Sequence, residues 1–143
     1  VNAVAAFSKE QSACIVVDFG TATTFDCLSA NGEYLGGSIA PGIAAALDSL
    51  VERTAKLPRV EIDRPRNVLG RNTVESIQSG ILYGYVSLVD GLVGRLKEEM
   101  GGDVKVIATG GFASTIAAES QTIERVDPDL TLEGLRLIFE RNQ

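Results

Sequence analysis

The chain has 143 residues and a mass of 15.1 kDa, with 45% hydrophobic residues, which suits one domain able to bury a core. No segment is both poor in apolar residues and rich in charge, so disorder is not expected. The net charge of −6 excludes a broad nucleic-acid face, and it requires any anionic ligand to be met by local donors or by a cation.

Residues 1–9 read as the closing turns of an amphipathic helix, with Val1, Val4, Ala5 and Phe7 apolar. The chain opens inside that helix and without methionine, as a piece of a longer protein would. Residues 13–18, ACIVVD, are continuously apolar until Asp18, the pattern of a strand covered on both faces. TTFDCLSA is rich in strand formers, Asn31-Gly32 signals a two-residue hairpin, and EYLGGSIA supplies a third strand. Residues 13–40 thus read as a three-stranded antiparallel meander. If residues 14–18 and 23–28 pair about Gly20–Thr21, Cys14 and Cys27 lie opposite each other, and two small buried thiols in a reducing cytosol are expected.

Pro41-Gly42 breaks the third strand, and residues 43–57 form a helix stopped by Pro58. The arginine-rich stretch 59–71 reads as a solvated loop, with a basic patch as its alternative. Asn72 or Thr73 caps a long helix running to about Met100, with Glu75 or Ser76 placed to bond back. Its wide apolar arc suggests burial on more than one side. Gly80, Gly84, Gly91 and Gly94 each cost about 1 kcal/mol against alanine, so close approach of another backbone is expected. Gly101–Gly102 end it; then come a buried strand at 104–109, a Gly-Gly turn, a short helix at 112–120, a short strand, and a closing helix capped by Thr131. The expectation is a single α/β unit with a mixed sheet flanked by helices, soluble, cytoplasmic and without a membrane partner, since charge interrupts every apolar run.

Four stretches could carry chemistry. In DFGTATT, a strand ends in Asp18 and enters a tight turn, where Gly20 permits close approach and positive φ. Successive N–H groups and the Thr21 hydroxyl there can cradle phosphate oxygens, and Asp18 can hold a cation against them. A plain hairpin with local hydrogen bonds explains the same residues. In ATGGFAS, Gly110 and Gly111 leave open backbone at a helix entry. GGSIAPG is either a connector or a ligand-facing helix start. In GRNTVESIQSG, Arg71, Asn72 and Thr73 serve either as a cap or as contacts to a polar, carboxylate-bearing substrate. The absence of histidine removes His-based acid–base and triad chemistry, and what remains suits phosphoryl transfer, where positioning and charge stabilisation dominate.

Taken in order, VDFGTATTFD, GGSIAPG, NTVESIQSGILYG and ATGGFA resemble the second phosphate motif, strand-to-helix signature, long-helix entry and adenosine motif of the type III pantothenate kinases. That family, grouped with the Bvg accessory factors, is a branch of the acetate kinase, sugar kinase, Hsp70 and actin superfamily. The resemblance implies a ribonuclease-H-like fold, a homodimer, and ATP-dependent phosphorylation of pantothenate to 4′-phosphopantothenate, the opening step of coenzyme A synthesis. It implies ATP contacts at Gly20, Thr21, Gly110 and Gly111, a monovalent cation (potassium or ammonium) on Asp18, pantothenate on Thr73, and magnesium with the ATP. The family's first phosphate motif and its Gly-x-Asp-Arg, whose aspartate is the proposed base, do not occur here. Val1-Asn2-Ala3-Val4 matches the helix directly after Gly-x-Asp-Arg, so residues 1–143 are expected to be the carboxy-terminal half of a two-domain kinase, with no catalytic base of their own. A non-catalytic accessory relative and another small-molecule kinase of the superfamily stay open.

Overall fold

The unbroken apolar run at Cys14–Val17 becomes the middle of the sheet, and this explains why it lacks the alternation of a half-exposed strand. The computed structural model describes residues 1–53 and 57–143. In chain order these form α1 (Asn2–Glu10), β1 (Cys14–Phe19), β2 (Ala22–Leu28), β3 (Tyr34–Pro41), α2 (Ile43–Arg53), α3 (Thr73–Met100), β4 (Lys105–Gly110), α4 (Ala113–Ala117), β5 (Arg125–Val126) and α5 (Leu130–Arg141). The strands make one mixed five-stranded sheet in the order β3-β2-β1-β4-β5, with β1 antiparallel to β2 and parallel to β4. Helices cover both faces. Ile15, Val17 and Phe19 join a core with α2, α3 and α4, whereas Cys14 and Val16 pack with Ala5 and Ala6 of α1 and Leu130 of α5. No helix among the described residues is long and apolar enough to cross a membrane.

The meander forms as expected, but its register differs in one respect. Cys14 pairs with Leu28 and Cys27 with Ile15, so the two thiols face opposite sides of the sheet, both buried and free. Burial pushes the Cys14 thiol up to about 11. The Asn31-Gly32 turn is also wider than two residues. Residues 29–33 connect the strands, with Gly32 N–H donating to Ser29 O and the Ser29 hydroxyl accepting from Asn31 and Glu33 N–H.

Helix ends follow the sequence signals where those signals are local. Asn72 is the cap of α3, accepting from Glu75 N–H at 2.9 Å, and Glu75 in turn accepts from Arg71 N–H at 3.0 Å. The expected continuation of α2 over 54–56 lies outside the described residues, and Leu57 is no longer helical. Residues 59–71 contain no helix or strand; Arg59 pairs with Asp48 and Arg64 with Glu119, as a solvated loop would. α4 is shorter than expected. Thr131 does not cap α5: Asp129 occupies the cap position without a side-chain bond, and the Thr131 hydroxyl donates to Asn2 instead.

The glycines fall into two kinds. A Cβ on Gly37 would stand 1.8 Å from Phe25 O, so the pairing of β3 with β2 admits no side chain there. Nothing comes within 4 Å of a Cβ on Gly80, Gly84, Gly91 or Gly94, so the backbone expected to approach them is not supplied by the described residues. α3 buries Ile77, Ile81, Leu82, Tyr85, Val86, Val89 and Val93 and exposes those glycines on its other side, so within the described residues the helix is buried on one side.

These two kinds should respond oppositely to alanine. Gly37→Ala is expected to lower stability by about 1–3 kcal/mol through overpacking. Gly94→Ala should raise it by up to about 1 kcal/mol through helix propensity. Urea unfolding of both variants checks this, and losses of equal size at the two sites would contradict the packing described.

Candidate functional site

The site is built by the pairing of two parallel strands. β1 and β4 run side by side with Asp18 opposite Thr109 and Phe19 opposite Gly110. The Gly20–Thr21 and Gly110–Gly111 turns therefore leave the sheet together, from the carboxyl ends of adjacent strands, and all four residues are exposed. In open α/β sheets such a crevice is the usual ligand position.

Each turn has its own steric reason. Gly110 has φ +100°, and a Cβ on it would stand 2.5 Å from Phe19 O, so only glycine lets β4 turn against β1 here. Gly111 has nothing within 4 Å of a Cβ position and leaves its backbone open to solvent. Gly20, contrary to expectation, does not take positive φ, and its Cβ position meets only ordinary contacts, so its backbone does not require glycine.

The turn at Gly20–Thr21 is held from behind by Pro41–Gly42. A Cβ on Gly42 would stand 2.1 Å from Thr21 O, so the absence of a side chain lets the two turns pack backbone to backbone. Pro41 O accepts from the Tyr85 hydroxyl at 2.9 Å and from the Thr23 hydroxyl at 3.0 Å, which ties that buttress to α3 and β2. The GGSIAPG stretch is thus a support for the turn as well as a connector.

Asp18 points to the α1/α5 side of the sheet. Its Oδ2 accepts from Asn2 Nδ2 at 2.8 Å, while Oδ1 lies 3.6 Å from the Cβ position of Gly20, beside the turn. Asp18 makes no ion pair among the described residues. Burial pushes its carboxyl above the usual aspartate range, the charge of Asp26 adds to this, and the Asn2 hydrogen bond opposes it. Asp26 itself accepts from the Tyr34 hydroxyl at 3.2 Å.

Thr73 is not part of this constellation. It lines a cleft of about 680 Å³ with Leu50, Leu57, Ile77 and Ile81 on the apolar side and Arg71, Asn72 and Ser76 on the polar side. None of Asp18, Gly20, Thr21, Gly110 and Gly111 lines it. The tie of two residues to the site escaped sequence reasoning: Asn2, bonded to Asp18, and Thr131, read as a helix cap but bonded to Asn2. Their partners are 16 and 129 positions away, so no local pattern marks them.

The profile of the type III pantothenate kinase family matches residues 1–95. A type III pantothenate kinase of Koribacter versatilis is 62% identical over 143 residues, covering 100% of this chain and 52% of that protein. One from Anaeromyxobacter is 59% identical, covering 100% and 56%, and one from Myxococcus xanthus is 56% identical, covering 99% and 56%. The chain spans about half the length of the curated relatives it matches. Among solved structures, a Baf family transcriptional activator candidate from Campylobacter jejuni aligns with a TM-score of 0.67 at 26% identity, over 97% of this chain and 62% of that one.

The uncompensated Asp18 has a consequence for stability. With its pKa raised above the ordinary 3.8, the folded chain holds this proton more tightly than the unfolded chain does. Between those two pKa values stability falls as pH rises, and above both the ionised group stays a constant penalty. Asp18→Asn keeps an oxygen for Asn2 and removes the charge. In potassium-free buffer it is expected to raise the urea midpoint at pH 7 and to flatten the loss above pH 3.8. A variant no more stable than the parent at pH 7 would contradict this.

Proposed function

The chain belongs to the type III pantothenate kinase family, and from this we propose that it is the carboxy-terminal half of a two-domain cytoplasmic enzyme that uses ATP to phosphorylate pantothenate to 4′-phosphopantothenate. The observation that carries the proposal is the register of β1 with β4, which delivers the Gly20–Thr21 and Gly110–Gly111 turns to one place. Two open, side-chain-poor turns, with one hydroxyl at Thr21, suit a polyphosphate that an acidic protein must bind through neutral donors. The meander, the parallel strand and helices on both faces support a ribonuclease-H-like fold.

Phosphoryl transfer to a hydroxyl needs the nucleotide clamped, the acceptor oriented and its proton removed. The open backbone of the Gly20–Thr21 and Gly110–Gly111 turns binds ATP, which brings its magnesium; Gly20 N–H itself donates to Ala22 O at 3.2 Å, so Gly20 contributes close approach rather than that donor. Among the described residues no group of three or more His, Cys, Asp or Glu could hold a metal alone. One carboxylate oxygen of Asp18 beside the turn therefore suits a monovalent cation, potassium or ammonium, completed by ligand oxygens. When bound, that cation offsets phosphate charge. Thr73 hydrogen-bonds pantothenate, whose paired methyl groups and carboxylate match the apolar and polar walls of its cleft. The base is supplied from upstream of Val1. The Asn2–Asp18 bond supports this placement, because it fixes the start of α1 at the end of β1 beside the phosphate turn.

A second reading, a non-catalytic regulatory or accessory relative of the same fold, has in its favour that the Campylobacter jejuni neighbour is described as a transcriptional activator. Pantothenate-dependent ADP release separates the two. Residues 1–143 alone should show none, and joining the amino-terminal half with its Gly-x-Asp-Arg should produce turnover. In that protein Thr21→Val should lower kcat/KM for ATP by about 1.5–3 kcal/mol, the worth of a hydrogen bond to a charged group. Turnover by the chain alone would place the base within it, and an inactive two-domain protein would favour the accessory reading.

Association follows from the exposed side of α3. Beyond the Thr73 cleft, Gly84, Ser87 and Gly91 form a stretch of small residues that the other described residues leave uncovered, and we propose that a second copy packs there. Gly84→Leu should then shift the species seen by sedimentation at micromolar concentration from dimer toward monomer. A monomeric parent would refute the dimer.

A further inference from the structure

Asp18 is the carboxylate whose Oδ1 lies beside Gly20 of the phosphate turn, and its usefulness depends on which oxygen faces the turn. The structure shows a relay that decides this. The Thr131 hydroxyl, in the first turn of α5, donates to Asn2 Oδ1 at 2.7 Å, and Asn2 Nδ2 donates to Asp18 Oδ2 at 2.8 Å. An ionised carboxylate only accepts, and the Asn2 oxygen only accepts, so the amide has one productive orientation and the hydroxyl must be the donor. Oδ2 is thereby occupied, and Oδ1 is left beside Gly20.

The relay rests on a rigid seat. A Cβ on Gly134 would stand 2.3 Å from Val1 O, so the first turn of α1 lies directly on α5. At the other end of α1, Lys9 pairs with Asp127 at 2.6 Å and also with Glu133. With α1 clamped at both ends, Asn2 has little freedom to release Asp18.

We infer that Asn2, oriented by Thr131, is a positioning residue that aims the Asp18 carboxylate at the cation beside the phosphate turn. The inference rests on the proposed assignment of a monovalent cation to Asp18. Partners of this kind, one step removed from a ligating group, commonly change ion affinity about 10-fold or more when lost.

The test uses the two-domain kinase with a non-hydrolysable ATP analogue. Thermal unfolding is followed against potassium chloride, with tetramethylammonium chloride holding ionic strength constant. The potassium concentration giving half the shift in Tm should rise about 10-fold in Asn2→Ala. It should rise less in Thr131→Val and return to the parent value in Thr131→Ser. Potassium activation of turnover should shift in parallel, with the lost rate recovered at high potassium, which a purely structural tie would not allow. Thr131→Val removes one exposed hydroxyl and carries the test if Asn2→Ala does not fold. Lowered Tm with an unchanged half-effect in both variants, while Asp18→Asn abolishes the response, would overturn the positioning role and leave the cation assignment standing. A potassium response that survives Asp18→Asn would overturn that assignment and this inference with it.

Discussion

The in-register pairing of β1 with β4 is the constraint on which the candidate site depends. Because the strands are parallel, they end at the same edge of the sheet, and because Phe19 stands opposite Gly110, both chains turn at the same level. Phe19 O sits where a Gly110 side chain would be, so the register and the glycine require each other. The rest of the fold holds that edge in place. Gly42 presses its backbone on Thr21, Tyr85 reaches from α3 to Pro41, and α1 ties its first residue to Asp18.

Electrostatics shape what such an edge can bind. The chain carries a net charge of −6, and Asp18 and Asp26 lie on the same face near the turn, so the local field opposes an anion. Neutral backbone donors avoid adding charge, and a cation on Asp18 would turn a repulsive group into an attractive one. A cation there would also offset the burial that pushes this carboxyl above the usual aspartate range. A group kept ionised without a partner weakens the fold, and such strain is usual where a ligand supplies the missing charge. The Asn2 contact lessens the penalty without neutralising the charge.

Much of this was legible because its causes are local. The run Cys14–Val17, the Asn72–Glu75 cap and the Gly101–Gly102 stop each contain their reason within a few residues. The four motifs were likewise readable, and their order carried the family. What was not legible depends on contacts across long separations. Cys14 and Cys27 face apart because the loop over 20–22 sets the register one step from a direct pairing. Gly20 looked like the conformationally special glycine, yet positive φ belongs to Gly110, and only the neighbouring strand makes that so. Thr131 reads as a cap by residue type, but α5 begins at Leu130 with Asp129 at the cap position, and the Thr131 hydroxyl donates to Asn2 of α1. The glycines of α3 face outward among the described residues, where no neighbouring backbone approaches them.

The central claim is that two turns from adjacent parallel strands form one nucleotide site, and amide NMR of the chain titrated with a non-hydrolysable ATP analogue tests it most directly. With half of the proposed cleft on the other domain, binding should be weak, and millimolar analogue is needed to populate it. The amides of Gly20, Thr21, Gly110 and Gly111 should shift together, along one binding curve, with the cleft around Thr73 unaffected. Shifts confined to one turn, shifts centred on Thr73, or none at either turn would contradict it.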